Sequence, residues 1–319
     1  MRHILIDTDT GSDDAVALLA ALREPTVKVE AITTVCGNIP LSLATKNALI
    51  SISMANTYQP PVFVGAESPL FRPLFTAENV HGEDGLGDVG FPEPEQTVSE
   101  GFAPDKIIEY AKKFPNELEL IVLGPATNIA IAIQKDPEAM SLVKHIYSMG
   151  TGGFGWGNVT PVAEFNVFVD AEAYDIMLKS GIPLTIIGFD VCLGTATFNK
   201  SDMDELLASS DEAARFAIKC NSALVQYNIK RSGEEIIDMP DPVAMAVALW
   251  PEVALETVDC NCIVCTIEPA AYGQVILDIG SFPGHNTLFG KSEPNAGVVK
   301  TIDSDLFKNK IKAILTVQA

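Results

Sequence analysis

Basic residues are scarce in this chain. Lys and Arg total 21 against 42 Asp and Glu in 319 residues, a formal net charge of −21. Nucleic-acid backbones and anionic lipid surfaces are gripped by clustered Lys and Arg, so neither is an expected partner. A small neutral or cationic ligand suits such a field better. Long apolar runs are also missing: 47% of the residues are hydrophobic, as in ordinary globular proteins, yet no stretch would span a bilayer. Neither a basic leader nor a signal-peptide cleavage region precedes the first strand-like run, so a cytoplasmic location is expected. Repeats, linkers and low-complexity segments are absent as well, and residues 1–319 read as a single domain. Only six cysteines occur. Cys260-Asn261-Cys262-Ile263-Val264-Cys265 lacks the second Cys pair or His pair that zinc requires. The alternation from Val258 to Ile267 reads as a strand carrying reduced, half-buried cysteines, with Cys265 on the face opposite the other two.

What is present is an alternation of short aliphatic runs and helical patterns. Strands are expected at 3–7, 27–35, 61–64, 118–123, 144–149 and 183–188, with further strand-like runs at 253–267 and 273–278. Helices are expected near 14–22, 41–56, 103–114, 126–134, 170–180, 201–229, 241–249 and 303–316. Such alternation predicts an α/β fold, a mostly parallel central sheet flanked by helices, with functional groups at the carboxyl ends of the strands. Residues 65–100 form a long irregular stretch of the kind that serves as a functional loop in a compact domain.

The most informative segment is Ile4-Leu5-Ile6-Asp7-Thr8-Asp9-Thr10-Gly11-Ser12-Asp13-Asp14. A buried strand runs into four carboxylates within eight residues, and an apolar helix begins at Ala15. Like charges at that density repel one another and resist desolvation unless a cation sits among them. Oxygen-only ligands suit a hard divalent ion such as calcium or magnesium. Gly11 permits the tight turn, and Asp13 and Asp14 fall where helix N–H groups favour negative charge. Capping a helix would take one acid, not four. An EF-hand is excluded, because Leu18 stands where that loop needs Glu.

Further polar groups lie where other strands end. Asn38 closes Thr33-Thr34-Val35-Cys36-Gly37-Asn38, and Gly124-Pro125 frees the Leu123 carbonyl from the sheet. After Met149 comes a glycine-rich loop through Trp156, followed by Asn158, Glu164 and Asn166, a donor and acceptor set suited to a polyhydroxylated ligand. Asp241, in Asp238-Met239-Pro240-Asp241-Pro242, is a fifth acid at a helix start.

Together these segments resemble the nucleoside hydrolases, the inosine–uridine-preferring N-ribohydrolase family. The resemblance rests on Asp7-Thr8-Asp9-Thr10-Gly11-Ser12-Asp13-Asp14, Ile32 to Asn38, His81-Gly82-Glu83-Asp84-Gly85-Leu86-Gly87, Leu123 to Asn128, Asn158 with Ala163 to Asn166, and Asp241-Pro242, in the family's order. It implies a Rossmann-like nucleoside hydrolase fold and calcium-dependent cleavage of the N-glycosidic bond of ribonucleosides to free base and ribose. Calcium (Ca2+) would be bound by Asp9, Asp14, the Leu123 carbonyl and Asp241, with Asp9 the general base on a calcium-held water. Ribose contacts would come from Asp13, Asn38, Met149, Asn158, Glu164 and Asn166, with Asp7 steadying its neighbours. A homo-oligomer, dimer or tetramer, is expected.

One departure stands out. Many family members carry His directly before the last metal-binding Asp, where it helps protonate the departing base; here that residue is Pro240. General acid catalysis contributes ~10²–10⁴ in rate. His81, Trp156, Tyr227 and Asp238 are the candidates to supply the help, His81 first because it follows the family motif and Trp156 second. Purine bases, which can be protonated on the ring away from the glycosidic bond, should lose less from Pro240 than uracil does. Two rival readings use the same residues. Asp7-Thr8-Asp9 resembles the phosphatase motif of haloacid-dehalogenase-like enzymes, but Gly11 stands where that motif has Thr or Val, and Asp13-Asp14 is left unexplained. A calcium-dependent ribosyl-compound binding protein without turnover would also need the carboxylates, and Pro240 is its only support.

Overall fold

The computed structural model describes residues 1–280 and 293–316. The chain opens with β1 (Arg2–Thr8), α1 (Ser12–Arg23), β2 (Val27–Thr34), α2 (Leu41–Ala55) and β3 (Val62–Val64). Next come α3 (Glu78–His81), α4 (Ala103–Lys113), β4 (Leu118–Val122), α5 (Thr127–Lys135), α6 (Pro137–Met140) and β5 (His145–Met149). α7 (Phe165–Val169), α8 (Ala171–Leu178) and β6 (Leu184–Ile187) follow, then β7 (Phe198–Asn199), α9 (Lys200–Leu207), α10 (Glu212–Lys219) and α11 (Ser222–Ser232). β8 (Ile236–Ile237), α12 (Pro240–Leu249), β9 (Ala254–Val264), β10 (Val275–Asp278), β11 (Ala296–Ile302) and a closing helix, Ser304–Thr316, complete it.

Nine strands form one sheet in the order β10-β9-β11-β6-β5-β4-β1-β2-β3. The pairings from β3 through β11 are parallel, and β9 runs antiparallel to both β11 and β10. β1 shows why the sheet is parallel and covered. Ile4, Leu5 and Ile6 are all fully buried, with Ile4 and Ile6 packing on one face and Leu5 on the other. A strand apolar on both faces must have helices above and below it. α1 is buried from Ser12 through Leu22 and packs beside α2, α12 and the closing helix, which accounts for its unbroken run of Ala, Val and Leu. From β1 the chain works outward to β3 and then returns to place β4 on the other side of β1. The crevice beyond the carboxyl ends of β1 and β4 is thus a topological switch point, where open α/β sheets bind ligands.

Three expectations need correction. The helix expected over 201–229 is three helices: Asp211 caps α10 by accepting from the Ala213 N–H (3.0 Å), and Asn221 turns the chain again by donating to Ala217 O (2.9 Å) and Ser12 O (3.2 Å). β11 was not foreseen, yet it joins β6 to β9 and so carries the antiparallel hairpin. β9 ends at Val264, so Cys265 lies beyond the strand, while Cys260 and Cys262 are buried on it; all six cysteines are free thiols. Residues 65–100 are irregular apart from α3, as expected. No helix among the described residues is long and apolar enough to cross a membrane.

Candidate active site

The sequence motifs converge at the switch point. Asp7, the last-but-one residue of β1, is buried; its Oδ1 accepts from Thr33 Oγ1 and from Asn128 Nδ2 (2.8 Å). Asn128 also donates to Thr34 O (3.0 Å) and accepts from Ala66 N–H (2.9 Å), tying the ends of β1, β2 and β4 together. Burial raises the Asp7 carboxyl to about 7 against the lowering effect of those bonds. These bonds tie Asp7 to the ends of the neighbouring strands.

Asp9 is fully buried just past β1, with Oδ2 accepting from the Asn38 backbone N–H at 2.7 Å. Oδ1 has no hydrogen-bond partner. Two glycines make this room: a Cβ on Gly37 would stand 2.0 Å from Oδ2, and one on Gly124 would stand 2.6 Å from Oδ1. Burial, then the neighbouring charge of Asp14, pushes the Asp9 carboxyl well above its ordinary range.

Asp14 closes the turn onto α1. Its Oδ2 accepts from Gly11 N–H (2.9 Å) and Asn38 Nδ2 (3.2 Å), and its Oδ1 from Thr8 Oγ1 (2.5 Å). Asp241, in the first turn of α12, reaches the same point from the far end of the sequence. Ligand oxygens of Asp13, Asp14 and Asp241 all lie within 4.8 Å of one another, and all three residues are buried. Burial raises each carboxyl, Asp13 to about 6, and the mutual charge raises Asp14 and Asp241 further. Asp9 stands beside this trio rather than within it, and Asp13, read as a ribose contact, takes the third place.

The opposite wall comes from β4, β5 and the segment before α7. Asn166 Nδ2 donates to Leu123 O at 2.6 Å and contacts Met149 O at 3.3 Å, so the freed Leu123 carbonyl does turn toward the site. Glu164 caps α7, accepting from Asn166 N–H (3.0 Å) and Val167 N–H (3.3 Å), while burial lifts it to about 7. Asn158 holds the same turn by accepting from Phe165 N–H (2.8 Å).

A cavity of about 270 Å³ opens onto these groups, lined by Asp13, Asn38, His81, Leu123, Met149, Asn158, Glu164, Asn166, Tyr227, Asp238 and Asp241. His81 is buried, and its Nδ1 lies 3.3 Å from the Ser12 N–H and 2.9 Å from Ser12 Oγ. A backbone N–H can only donate, so Nδ1 accepts and the ring proton sits on Nε2. Burial lowers this imidazole to about 4 against the raising effect of the Asp14 charge. Trp156 is not brought in: it is 81% exposed at the glycine-rich loop and is not part of the cavity lining. Phe75, Asn79 and Val80 from the irregular stretch, Phe165, Phe189, Leu224 and Arg231 also line the cavity and were not singled out from the sequence. The spacing of Tyr227 and Arg231 on α11, four residues apart and hence on one face, is the signal that would have found Arg231.

These residues fit a hard cation. Asp9 Oδ1 and Asp13 Oδ1 are buried acceptors without donors, next to a trio of carboxylates that like-charge repulsion would otherwise force apart or protonate.

Comparison with known proteins agrees with the geometry. The family model described as inosine-uridine preferring nucleoside hydrolase matches residues 4–309. A probable uridine nucleosidase 2 of Oryza sativa subsp. japonica is 37% identical over 79% of this chain and 75% of its own length. A pyrimidine-specific ribonucleoside hydrolase of Shewanella baltica is 34% identical over 91% of this chain and 92% of its own. Among solved structures, a plant nucleoside hydrolase superposes with a TM-score of 0.93 at 28% identity, covering 99% of both chains. A buried carboxylate cluster at the switch point, the polar wall facing it, and this agreement along nearly the whole sequence lead to one assignment: the chain belongs to the inosine-uridine preferring nucleoside hydrolase family, enzymes that hydrolyse the N-glycosidic bond of ribonucleosides.

Proposed function

We propose that this enzyme cleaves ribonucleosides to free base and ribose in a calcium-dependent reaction with Asp9 as general base. The observation that carries the proposal is the state of Asp9: a buried carboxylate with one oxygen held by Asn38 N–H and the other free of any donor, beside the Asp13–Asp14–Asp241 trio. Asp9, Asp14, the Leu123 carbonyl and Asp241 would hold calcium, which when bound offsets their repulsion and acidifies water. Leu123 O has a second lone pair beyond the one engaged by Asn166, so it can serve in both roles.

The chain's own residues account for the rest. Asp9 Oδ1 takes a proton from the attacking water, its proton affinity raised by burial and by the neighbouring charge of Asp14. Asp13, Asn38, Asn158, Glu164 and Asn166, with Met149, would hold the ribose hydroxyls and fix C1′ against that water. Positive charge develops on the ribosyl ring as the bond to the base breaks, and buried carboxylates that need no reorganisation stabilise it. Pro240 donates nothing, and His81 offers the departing base or a ribose hydroxyl only the hydrogen bond of a neutral Nε2–H. A cytoplasmic homo-oligomer, dimer or tetramer, completes the reading.

Family membership displaces the phosphatase and non-catalytic alternatives. The deciding experiment offers a panel of nucleosides, uridine and inosine first, with separate detection of free base and ribose. Stoichiometric release of both supports the proposal; phosphate release from phosphomonoesters, or ribose binding without base release, refutes it.

A further inference from the structure

An ion pair also lines the cavity. Arg231 Nη2 donates to Asp238 Oδ2 at 3.4 Å, and Asn228 Nδ2 lies at the same distance from that oxygen. Asp238 Oδ1 is buried and has no hydrogen-bond partner. Both Arg231 and Asp238 line the cavity, and the guanidinium lies 5.7 Å over the Tyr227 ring, which lines it too. The pair is graded in depth: the Asp238 side chain is 7% exposed, the Arg231 side chain 45%. The mechanism above leaves both residues unused.

We infer that Asp238 and Arg231 read the edge of the base, Asp238 accepting from a ring N–H and Arg231 donating to the exocyclic carbonyl beside it, so that oxo bases are selected over amino bases. The inference rests on the nucleoside hydrolase reading of the ribose end. A carboxylate can only accept and a guanidinium can only donate, so the pair defines an ordered code. With ribose at the carboxylate cluster, the deeper Asp238 meets the base atom nearer the sugar and the outer Arg231 meets the next one out. Uracil offers N3–H and then O4 in that order. Hypoxanthine offers N1–H and then O6. Cytosine and adenine present a bare ring nitrogen and then an amino group, which sets acceptor against acceptor and donor against donor. The Tyr227 ring lies 5.7 Å from the guanidinium, within cation–π range, and steadies the Arg231 head.

A pocket built to hydrogen-bond its substrate rejects analogues that leave its polar groups unpaired by ~10⁴–10⁵, and with Arg231 half-exposed a ratio of at least ~10² is expected here. The test measures kcat/KM of the calcium-supplied enzyme on uridine, cytidine, inosine and adenosine. p-Nitrophenyl riboside, which has no such edge, serves as the reference. Wild type should favour uridine over cytidine and inosine over adenosine by that factor. Asp238→Asn, which can present either an oxygen or an amide N–H, should lower both ratios at least ~30-fold, the loss falling on the oxo bases. Arg231→Met, altering a half-exposed position, should slow uridine and inosine well beyond any effect on the nitrophenyl compound. Cytidine cleaved within ~10-fold of uridine by wild type, or ratios unmoved in both variants, overturns the inference while the ribose-end reading survives. Failure to hydrolyse any of the five compounds overturns both.

Discussion

The substitution that probes the site most finely touches no polar group. Gly37 follows β2 with its backbone outside the left-handed region, so Gly37→Ala adds only a methyl group. That methyl would lie 2.0 Å from Asp9 Oδ2, 2.7 Å from Cγ and 2.8 Å from Cβ, where ordinary contact begins at 3.4 Å. The carboxylate must therefore retreat by about 1.4 Å, and room around it is short, since a Cβ added on Gly124 would also come within 2.6 Å of Oδ1. The Asn38 N–H bond to Oδ2 is lost in the process. A misplacement of ~1 Å costs about 10² in rate, and overpacking costs about 1–3 kcal/mol of stability. Gly37→Ala should thus remain folded, with Tm a few degrees lower, yet lose ~10² in kcat. Because the damage lies on the water side of the ribose, p-nitrophenyl riboside should slow as much as uridine. The assay is steady-state release of free base and ribose with a thermal melt of the same preparation. A folded variant with kcat within ~3-fold of wild type would refute the argument that Asp9 must sit where the two glycines allow it.

Other consequences are equally open to measurement. Arg23 and Asp211 pair at 2.8 Å with side chains 5% and 8% exposed, and Arg23 also donates to Ala55 O and Leu315 O; Arg23→Ala should cost about 3 kcal/mol in a denaturant melt. Burial pushes the Asp211 carboxyl up, but Arg23 more than offsets this and holds it below the ordinary range, so the pair's contribution is present above about pH 4, fades as pH falls through the folded value, and the gap between wild type and variant should narrow in acid. Purified enzyme should carry about one calcium per chain, and chelation should abolish turnover and lower Tm, with recovery on adding calcium; full activity in excess chelator would contradict the metal assignment. His81→Ala should slow natural nucleosides and p-nitrophenyl riboside to similar extents if the neutral ring contacts ribose, whereas selective slowing of natural nucleosides would return it to the leaving group.

Much of the fold was legible because its physics is local. β1 reads as a strand because Ile4, Leu5 and Ile6 must all be buried, and α1 as a helix because Ala15 to Leu22 follows a turn crowded with acids. β11 escaped because Ala296-Gly297-Val298-Val299-Lys300-Thr301-Ile302 mixes small and polar residues, and its strand character comes from β6 and β9 on either side. The breaks between α9, α10 and α11 escaped because Asp211 caps α10, and Asn221 donates back to Ala217 O, through contacts that helical periodicity does not reveal. In the site, the density of Asp7, Asp9, Asp13 and Asp14 announced itself. What spacing could not convey was how closely Asp13 lies to Asp14 and Asp241. Nor could it show that Ser12 N–H sets the His81 tautomer, that Trp156 faces solvent, or that Arg231 bends over Tyr227 into the cavity. Each of these depends on chain segments meeting in space.

The central claim is tested most directly by Asp9→Asn, an isosteric change that keeps the Asn38 N–H contact available and removes the proton acceptor. Turnover of uridine and inosine should be measured together with calcium content and Tm on one preparation. The expected result is a folded, calcium-containing protein whose kcat has fallen by ~10² or more. Near wild-type turnover in that protein would contradict it and transfer the role of base to Asp13, whose Oδ1 is likewise a buried acceptor without a donor.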